Sequence, residues 1–381
     1  MVTYYPQLRQ APETEFANGS GYIPEWQSHW TVDETTEHYL EEMAKASKMQ
    51  LDLQEGLLNL KGHAGTGKDV LVKMFANRTN RPYFAIDCSK WTTEFELSED
   101  VVLEAEDGAS KTVKVPSVVL NAITTPGAVM YFNEINAMPE QAQIFLHGLM
   151  DEKRTLTLKT SSGKAVKTLD NVLLMGSMNP GYPGTFNPQF ATKSRMVGLE
   201  IEYPPLYRER NPNDPNPNSP ISAAEALRVA RQVDSLADFT YEANPEHNKF
   251  VQIWDRHING IENGAPDLTA VQRFDVEAIL TMVEFAQKLR EGFILKFEKA
   301  RASSIPKGTL LVDQPITGRE MRRMAYFLSK MSAEEKATAN PEAVTRSLIE
   351  RLFLSHIDKK DERDEIRTAM AIWTSSKRPA A

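Results

Sequence analysis

Apolar residues along this chain follow two rhythms, and the change between them divides it. Up to about residue 205, short apolar runs alternate with segments of helical spacing. Residues 57–60, 81–88, 128–132, 171–178 and 198–203 read as strands, and 36–49, 70–76, 117–123 and 139–151 as helices. Apolar runs without alternation are those of strands covered on both sides. The order therefore predicts an α/β fold, a parallel sheet core with helices on both faces. Two pairs of short alternating runs, 101–105 with 112–115 and 155–159 with 166–169, flank turn residues and predict β-hairpin insertions. The Pro- and Asn-rich run 211–220 is the clearest linker. Beyond it only helical spacing remains, at 221–235, 245–259, 270–290, 318–331 and in a tail from about 336, which predicts an all-α second part. Residues 1 to about 30, rich in Pro, Gly and aromatics without a period, read as an arm.

The stretch Gly62-His63-Ala64-Gly65-Thr66-Gly67-Lys68-Asp69 joins the first predicted strand to a helix that opens at Val70. That is the setting of a phosphate-binding loop. Glycines let successive backbone N–H groups turn inward around phosphate oxygens, the helix N-terminus adds partial positive charge, and Lys68 brings a mobile cation. The position after the lysine usually carries a hydroxyl that ligates magnesium; here it is Asp69.

Composition narrows the class without choosing a function. The chain has 381 residues, 41% hydrophobic and 25% charged, with a formal charge of −8. These are ordinary values for a soluble globular protein, and the acidic balance argues against a dedicated nucleic-acid binder. Cys88 is the single cysteine, so no intrachain disulfide forms and a reducing, cytoplasmic setting is expected. No apolar run approaches the roughly 20 residues that cross a bilayer. The seven histidines have no metal-ligand spacing.

Nucleotide sites in α/β sheets lie at the carboxyl ends of strands. Asn133-Glu134 ends the third predicted strand and Asn179 the fourth. Glu134 is the candidate for polarising an attacking water, and Asn179 for orienting it or touching the terminal phosphate. An acid ordinarily stands where Asn133 is. With Asp69 in place of the hydroxyl, the carboxylate has changed sides. The expectation is that Asp69 and Asn133 together hold Mg²⁺ as an exchanged pair.

The segments Gly176-Ser177-Met178-Asn179-Pro180-Gly181-Tyr182, 191–204 and 130–154 resemble the AAA+ ATPases of the MoxR group, and within it the CbbQ/NorQ branch. The resemblance covers about residues 50–205, including both hairpins. It implies an AAA+ nucleotide-binding domain (50–210) after an arm and helix (1–49), then a helical lid (211–335) and a helical tail (336–381). It also implies ATP and Mg²⁺ as cofactors, and a cofactor loop spanning residues 62–70. Asn179 takes the role of sensor, and Arg195, with Lys193, that of a finger reaching the neighbouring subunit's nucleotide. Arg319 at the start of a lid helix is the residue nearest the phosphates. Trp91 and Phe95 stand where such proteins place a pore loop, although burial beneath the hairpin is an equal reading. The implied protein is a homo-oligomeric, hexameric ring that hydrolyses ATP to remodel, activate or mature a protein client, with a von Willebrand factor A-domain partner. The long arm and the region 236–315 depart from the short chains of that branch. The alternative is a nucleotide-gated scaffold that assembles on ATP and hydrolyses little; a nucleic-acid translocase is disfavoured by the charge. The exchanged pair is tested by substitution: Asp69→Thr should weaken Mg²⁺ affinity, and adding Asn133→Asp should restore it.

Overall fold

Five strands form one parallel sheet in the order β2 (Tyr83–Asp87), β5 (Val129–Asn133), β8 (Leu173–Met178), β1 (Leu57–Lys61) and β9 (Met196–Glu200). The structure is a computed structural model and describes residues 8, 22–27, 30, 32, 34–106, 109–161, 163–182, 184–204, 223–240, 248–297 and 310–375. Most of the expected arm, the linker 211–220 and the last residues of the tail lie outside the described residues.

In chain order the first part runs α1 (Glu34–Leu53), β1 (Leu57–Lys61), α2 (Lys68–Arg78), β2 (Tyr83–Asp87), α3 (Glu94–Leu97), β3 (Glu99–Glu106), β4 (Ala109–Pro116), α4 (Val118–Ile123), β5 (Val129–Asn133), α5 (Glu140–Phe145), α6 (His147–Met150), β6 (Thr155–Thr157), β7 (Ala165–Lys167), β8 (Leu173–Met178), α7 (Phe190–Lys193) and β9 (Met196–Glu200). All five predicted sheet strands are present, and so are both antiparallel hairpins, β3–β4 and β6–β7. Val129, Met130, Tyr131 and Phe132 of β5, and Leu173, Leu174 and Met175 of β8, are buried. That is why these strands read as unbroken apolar runs. The fifth strand starts two residues earlier than expected, because Met196 pairs with Leu57 at the beginning of β1. The helix expected over 139–151 is two short ones, divided at Leu146, whose N–H turns back to the carbonyl of Gln143 at 3.2 Å.

The chain leaves β1 for β2 at one margin of the sheet and later returns from β8 to β9 at the other. Connections thus diverge at the carboxyl end of β1, which opens a crevice there. Two polar side chains lock this sheet from beneath its apolar surface. Gln50 of α1 pairs with the backbone of Leu174, giving its amide hydrogen to the carbonyl at 2.9 Å and accepting the N–H at 2.7 Å. Arg81, fully buried, donates to the carbonyls of Leu8 at 2.9 Å, Gly127 at 2.9 Å and Asn171 at 2.8 Å. Its burial draws the guanidinium's pKa down to about 10, still charged at neutral pH. At the sheet margin, Tyr22 and Tyr83 form an antiparallel bridge, in which Tyr83 N–H reaches the Tyr22 carbonyl at 2.8 Å.

The chain divides into two compact units, Met1–Trp26 with Thr36–Glu202, and Gln27–Thr35 with Tyr203–Ala381. The second unit is helical among the described residues: α8 (Ala224–Ala230), α9 (Ala237–Thr240), α10 (Lys249–His257), α11 (Ala270–Phe297), α12 (Gly318–Ser329), α13 (Ala333–Thr338), α14 (Pro341–Leu352) and α15 (Lys360–Ser375). The long α11 packs against α8, α12, α13 and α14. Helix starts follow their sequence signatures: Thr317 with Glu320 and Ser332 with Glu335 form capping boxes, and Asn340 caps a helix that opens with Pro341. Arg290 is buried against Glu225 at 2.6 Å and gives a second hydrogen bond to the Ile316 carbonyl at 2.8 Å. Lys336 is likewise buried on Asp275 at 2.8 Å.

Arg81→Met should lower the unfolding free energy by about 2–4 kcal/mol, since three buried carbonyls lose their donor. Urea unfolding followed by circular dichroism checks this, and an unchanged midpoint would rule out Arg81 as the clasp.

Candidate functional site

The phosphate-binding geometry starts from two glycines. Gly67, with φ 91°, precedes α2 in the left-handed region, where a side chain is strained. Gly62 has no room for one, because a β-carbon there would overlap the Ile201 carbonyl oxygen. Between them the loop closes on itself. Thr66 gives its hydroxyl hydrogen to the His63 carbonyl at 2.9 Å, and Gly65 also holds positive φ. The Ala64 N–H reaches the Tyr182 hydroxyl at 3.2 Å, and the His63 and Tyr182 rings lie 6.2 Å apart. Asp69 and Val70 continue into the first turn of α2.

Lys68 is buried, and its ammonium donates to the carbonyls of Gly62 at 2.7 Å and His63 at 2.9 Å and to Asn179 Oδ1 at 2.8 Å. Burial pulls its pKa down to about 8, while the charge of Glu134 works in the opposite direction. Asn179 then donates its amide hydrogen to Glu134 Oε1 at 2.8 Å. One amide therefore links the loop cation to the carboxylate at the end of β5. Because its oxygen faces an ammonium and its nitrogen a carboxylate, the orientation of that amide follows from charge.

Glu134 holds φ 54° and ψ 48°, an uncommon conformation for a residue with a side chain. Its N–H is accepted by Ser177 Oγ at 3.1 Å, and Ser177 also accepts from the Tyr131 hydroxyl at 2.8 Å. Ser177 gives its own hydrogen to Asn133 Oδ1 at 3.0 Å, and Asn133 Nδ2 donates to Asp87 Oδ1 at 2.7 Å. Burial holds the Tyr131 phenol well above its ordinary pKa, so it remains a donor.

The structure thus brings Lys68, Asn179, Glu134 and Asn133 into one connected group. Asp69 faces differently from the exchanged-pair expectation. One of its oxygens meets Lys73 at 2.8 Å and the other accepts from the Tyr83 hydroxyl at 3.2 Å. Asn133 turns its oxygen to Ser177 and its nitrogen to Asp87. The exposed carboxylate beside it is Asp87, one strand over, through the register pair Asp87↔Asn133. Sequence reading missed Asp87 and Ser177. Asp87 ends the second strand just as Asn133 ends the third, and the rule that drew attention to polar strand ends applies to it equally. Ser177 is a hydroxyl inside an apolar strand, which is a weaker signal. Among the described residues no group of three or more His, Cys, Asp or Glu forms a metal cluster. Magnesium held chiefly by phosphate and one or two carboxylates needs none; the exposed Asp87 offers hard oxygens for it, whereas both oxygens of Asp69 are engaged.

Arg195 and Lys193 lie elsewhere. The Arg195 carbonyl accepts from Leu57 N–H at 3.0 Å, at the start of β1, whereas the phosphate loop follows the end of that strand. Five residues of strand separate the two ends by roughly 15 Å. The Arg195 side chain pairs with Asp151 and the Ala191 carbonyl, and Lys193 donates to Asn187 at 2.7 Å. Arg319 belongs to the second unit, exposed in the first turn of α12. Trp91 and Phe95 are 73% and 52% exposed, which overturns burial beneath the hairpin. Cys88 is buried, as a small core residue.

Residues 58–196 match the family described as AAA domain, dynein-related subfamily. That stretch is similar to a P-loop AAA+ domain. An uncharacterised protein of Staphylococcus epidermidis is 29% identical over 158 residues, 41% of this chain and 59% of that protein. Others from Staphylococcus saprophyticus, 29% identical over 154 residues, and Staphylococcus haemolyticus, 28% over 158, cover 40% and 41% of this chain and 57% and 59% of their own lengths. The chain thus spans less than two thirds of the length of these relatives. The match supports nucleotide binding by this stretch, with the buried Lys68 as the cation of the loop. No helix among the described residues is long and apolar enough to cross a membrane.

The Lys68 pKa carries a pH dependence with a definite sign. In the empty domain the amine loses its proton above about 8, whereas a bound anionic phosphate favours the ammonium and raises that value. Nucleotide affinity should therefore fall as pH rises from 8 to 9.5, by up to tenfold per unit, with proton uptake on binding. Calorimetry at pH 8.5 in buffers of different ionisation enthalpy measures that uptake. Affinity flat across this range would assign Lys68 an ordinary lysine pKa.

Proposed function

We propose that this chain is a MoxR-type AAA+ ATPase that binds and hydrolyses ATP with Mg²⁺ at the junctions of a ring of copies and uses the cycle to remodel or activate a protein client. The observation that carries this reading is the hydrogen-bonded line Lys68–Asn179–Glu134. A domain kept only for binding needs the loop and its lysine. A carboxylate wired to that lysine through an amide is what hydrolysis adds. Lys68 takes the outer phosphates, Asn179 follows their position, and Glu134 orients and polarises a water toward them. Asp69 and Asp87 are the residues that would hold magnesium, which would supply neutralising charge to the phosphates when bound. Asn133, its oxygen turned to Ser177, serves to aim Asp87.

Arg195 supports the ring. It lies at the opposite end of β1 from its own phosphate loop, which favours a role toward another copy's loop. Lys193, a point charge without the planar fork, is its lesser companion. Arg319 is the lid's candidate for the same phosphates. The exposed Trp91 and Phe95 suit contact with a client polypeptide, and a von Willebrand factor A-domain protein is the partner that the resemblance suggests. The gated-scaffold reading draws on one observation, the engagement of Asp69 by Lys73 and Tyr83, which leaves that carboxylate less free for a metal.

The deciding measurement is Mg²⁺-dependent ATP turnover, with oligomer mass recorded with and without nucleotide. Glu134→Gln should cut turnover about 100-fold or more with nucleotide still bound, and Arg195→Ala should cut it about 10³-fold without changing affinity. Nucleotide-dependent assembly without turnover would replace the motor by the scaffold.

A further inference from the structure

Ser177 joins three of the hydrogen bonds that shape the acidic side of the site. It is fully buried, and its hydrogen-bonding capacity is filled. Its two lone pairs accept the Tyr131 hydroxyl at 2.8 Å and the Glu134 N–H at 3.1 Å, and its single hydrogen goes to Asn133 Oδ1 at 3.0 Å. The Tyr131 hydroxyl also lies 3.3 Å from Asn133 Oδ1, but it has one hydrogen and the shorter contact is to Ser177.

Two consequences follow from that saturation. Glu134 has a left-handed backbone, a conformation that a residue with a side chain keeps only where its surroundings hold it. Ser177 is the group that takes its N–H. Asn133 presents its amide nitrogen to Asp87 only while its oxygen has a donor on the other side, and Ser177 is that donor. One hydroxyl on β8 thus sets both the water-polarising carboxylate and the orientation of the amide that stands where an acid is usual.

We propose that Ser177 is a positioning residue of the hydrolytic site, acting through Glu134 and Asn133 and touching no substrate. This rests on the ATPase reading above, and its test is chosen to separate the two. Ser177→Ala and the near-isosteric Ser177→Cys are compared with Ser177→Thr, which keeps the hydroxyl. In single-turnover ATP hydrolysis, the Ala and Cys variants should lose 10- to 100-fold in rate, with the Kd for a fluorescent ATP analogue within twofold of wild type. Thr should retain most of the rate. In a Glu134→Gln background, Ser177→Ala should cost no more than about twofold, because the group it positions is already gone.

A second readout does not depend on hydrolysis. Backbone amide exchange of the peptide spanning 131–137 should quicken in the Ala and Cys variants, with that of the 60–68 loop unchanged. If the wild type binds ATP without turning it over, the ATPase reading falls, and the exchange result still decides Ser177. Unchanged exchange at 131–137, an undiminished loss in the Glu134→Gln background, or a parallel loss of nucleotide affinity would each overturn the proposal and leave Ser177 a core residue.

Discussion

A cation buried at the edge of a sheet has to be answered by oxygen, and much of this site is the answer to Lys68. The phosphate loop needs its lysine close to where phosphates will lie, and that closeness removes the ammonium from water. Desolvation lowers its pKa to about 8, and a pKa lowered by one corresponds to roughly 1.4 kcal/mol lost by the charged form. Two loop carbonyls and the Asn179 amide offset part of that cost by accepting its hydrogens. The choice of an amide as the third acceptor then has its own result. An amide oxygen turned to an ammonium leaves an amide nitrogen that needs an acceptor, and Glu134 provides it. The carboxylate is located through the lysine, with no direct bond between the two charges.

The same logic runs along the neighbouring strands with neutral groups. Tyr131, Ser177 and Asn133 pass hydrogens in one direction until they reach the Asp87 carboxylate. An acid at position 133 could not donate to Asp87 and would repel it. An amide there removes the repulsion and supplies the donor. The departure from the usual acid at this position and the presence of Asp87 one strand away are thus two sides of one arrangement, which strand pairing makes possible by setting Asp87 opposite Asn133.

Much of this was readable from residue order alone. The five sheet strands, both hairpins, the phosphate loop and the helical second part came from apolar period and glycine placement, signals that are local in sequence. The strand ends carrying Glu134 and Asn179 were legible because polar residues that close apolar runs are conspicuous. What stayed hidden was non-local. Asp87 gains meaning only when β2 lies against β5, Ser177 only when β8 lies on the other side of β5, and Arg81 only when its three carbonyl partners, far apart in sequence, converge. The exposure of Trp91 and Phe95 was equally out of reach, since an aromatic pair in a loop has the same composition whether covered or not. The helices expected at 221–235, 245–259 and 318–331 are shorter, at Ala224–Ala230, Lys249–His257 and Gly318–Ser329, whereas the one expected at 270–290 runs on to Phe297.

Tyr83 has two employments at once. Its backbone closes the free margin of the sheet against Tyr22, and its hydroxyl holds one oxygen of Asp69, the residue next to the loop lysine. Margin and loop are thereby yoked through a single side chain. A fault introduced at the sheet's border is felt at the phosphate loop, and a change at Tyr83 is a compound lesion whose architectural and chemical parts separate only when the ring is kept and the hydroxyl alone is removed.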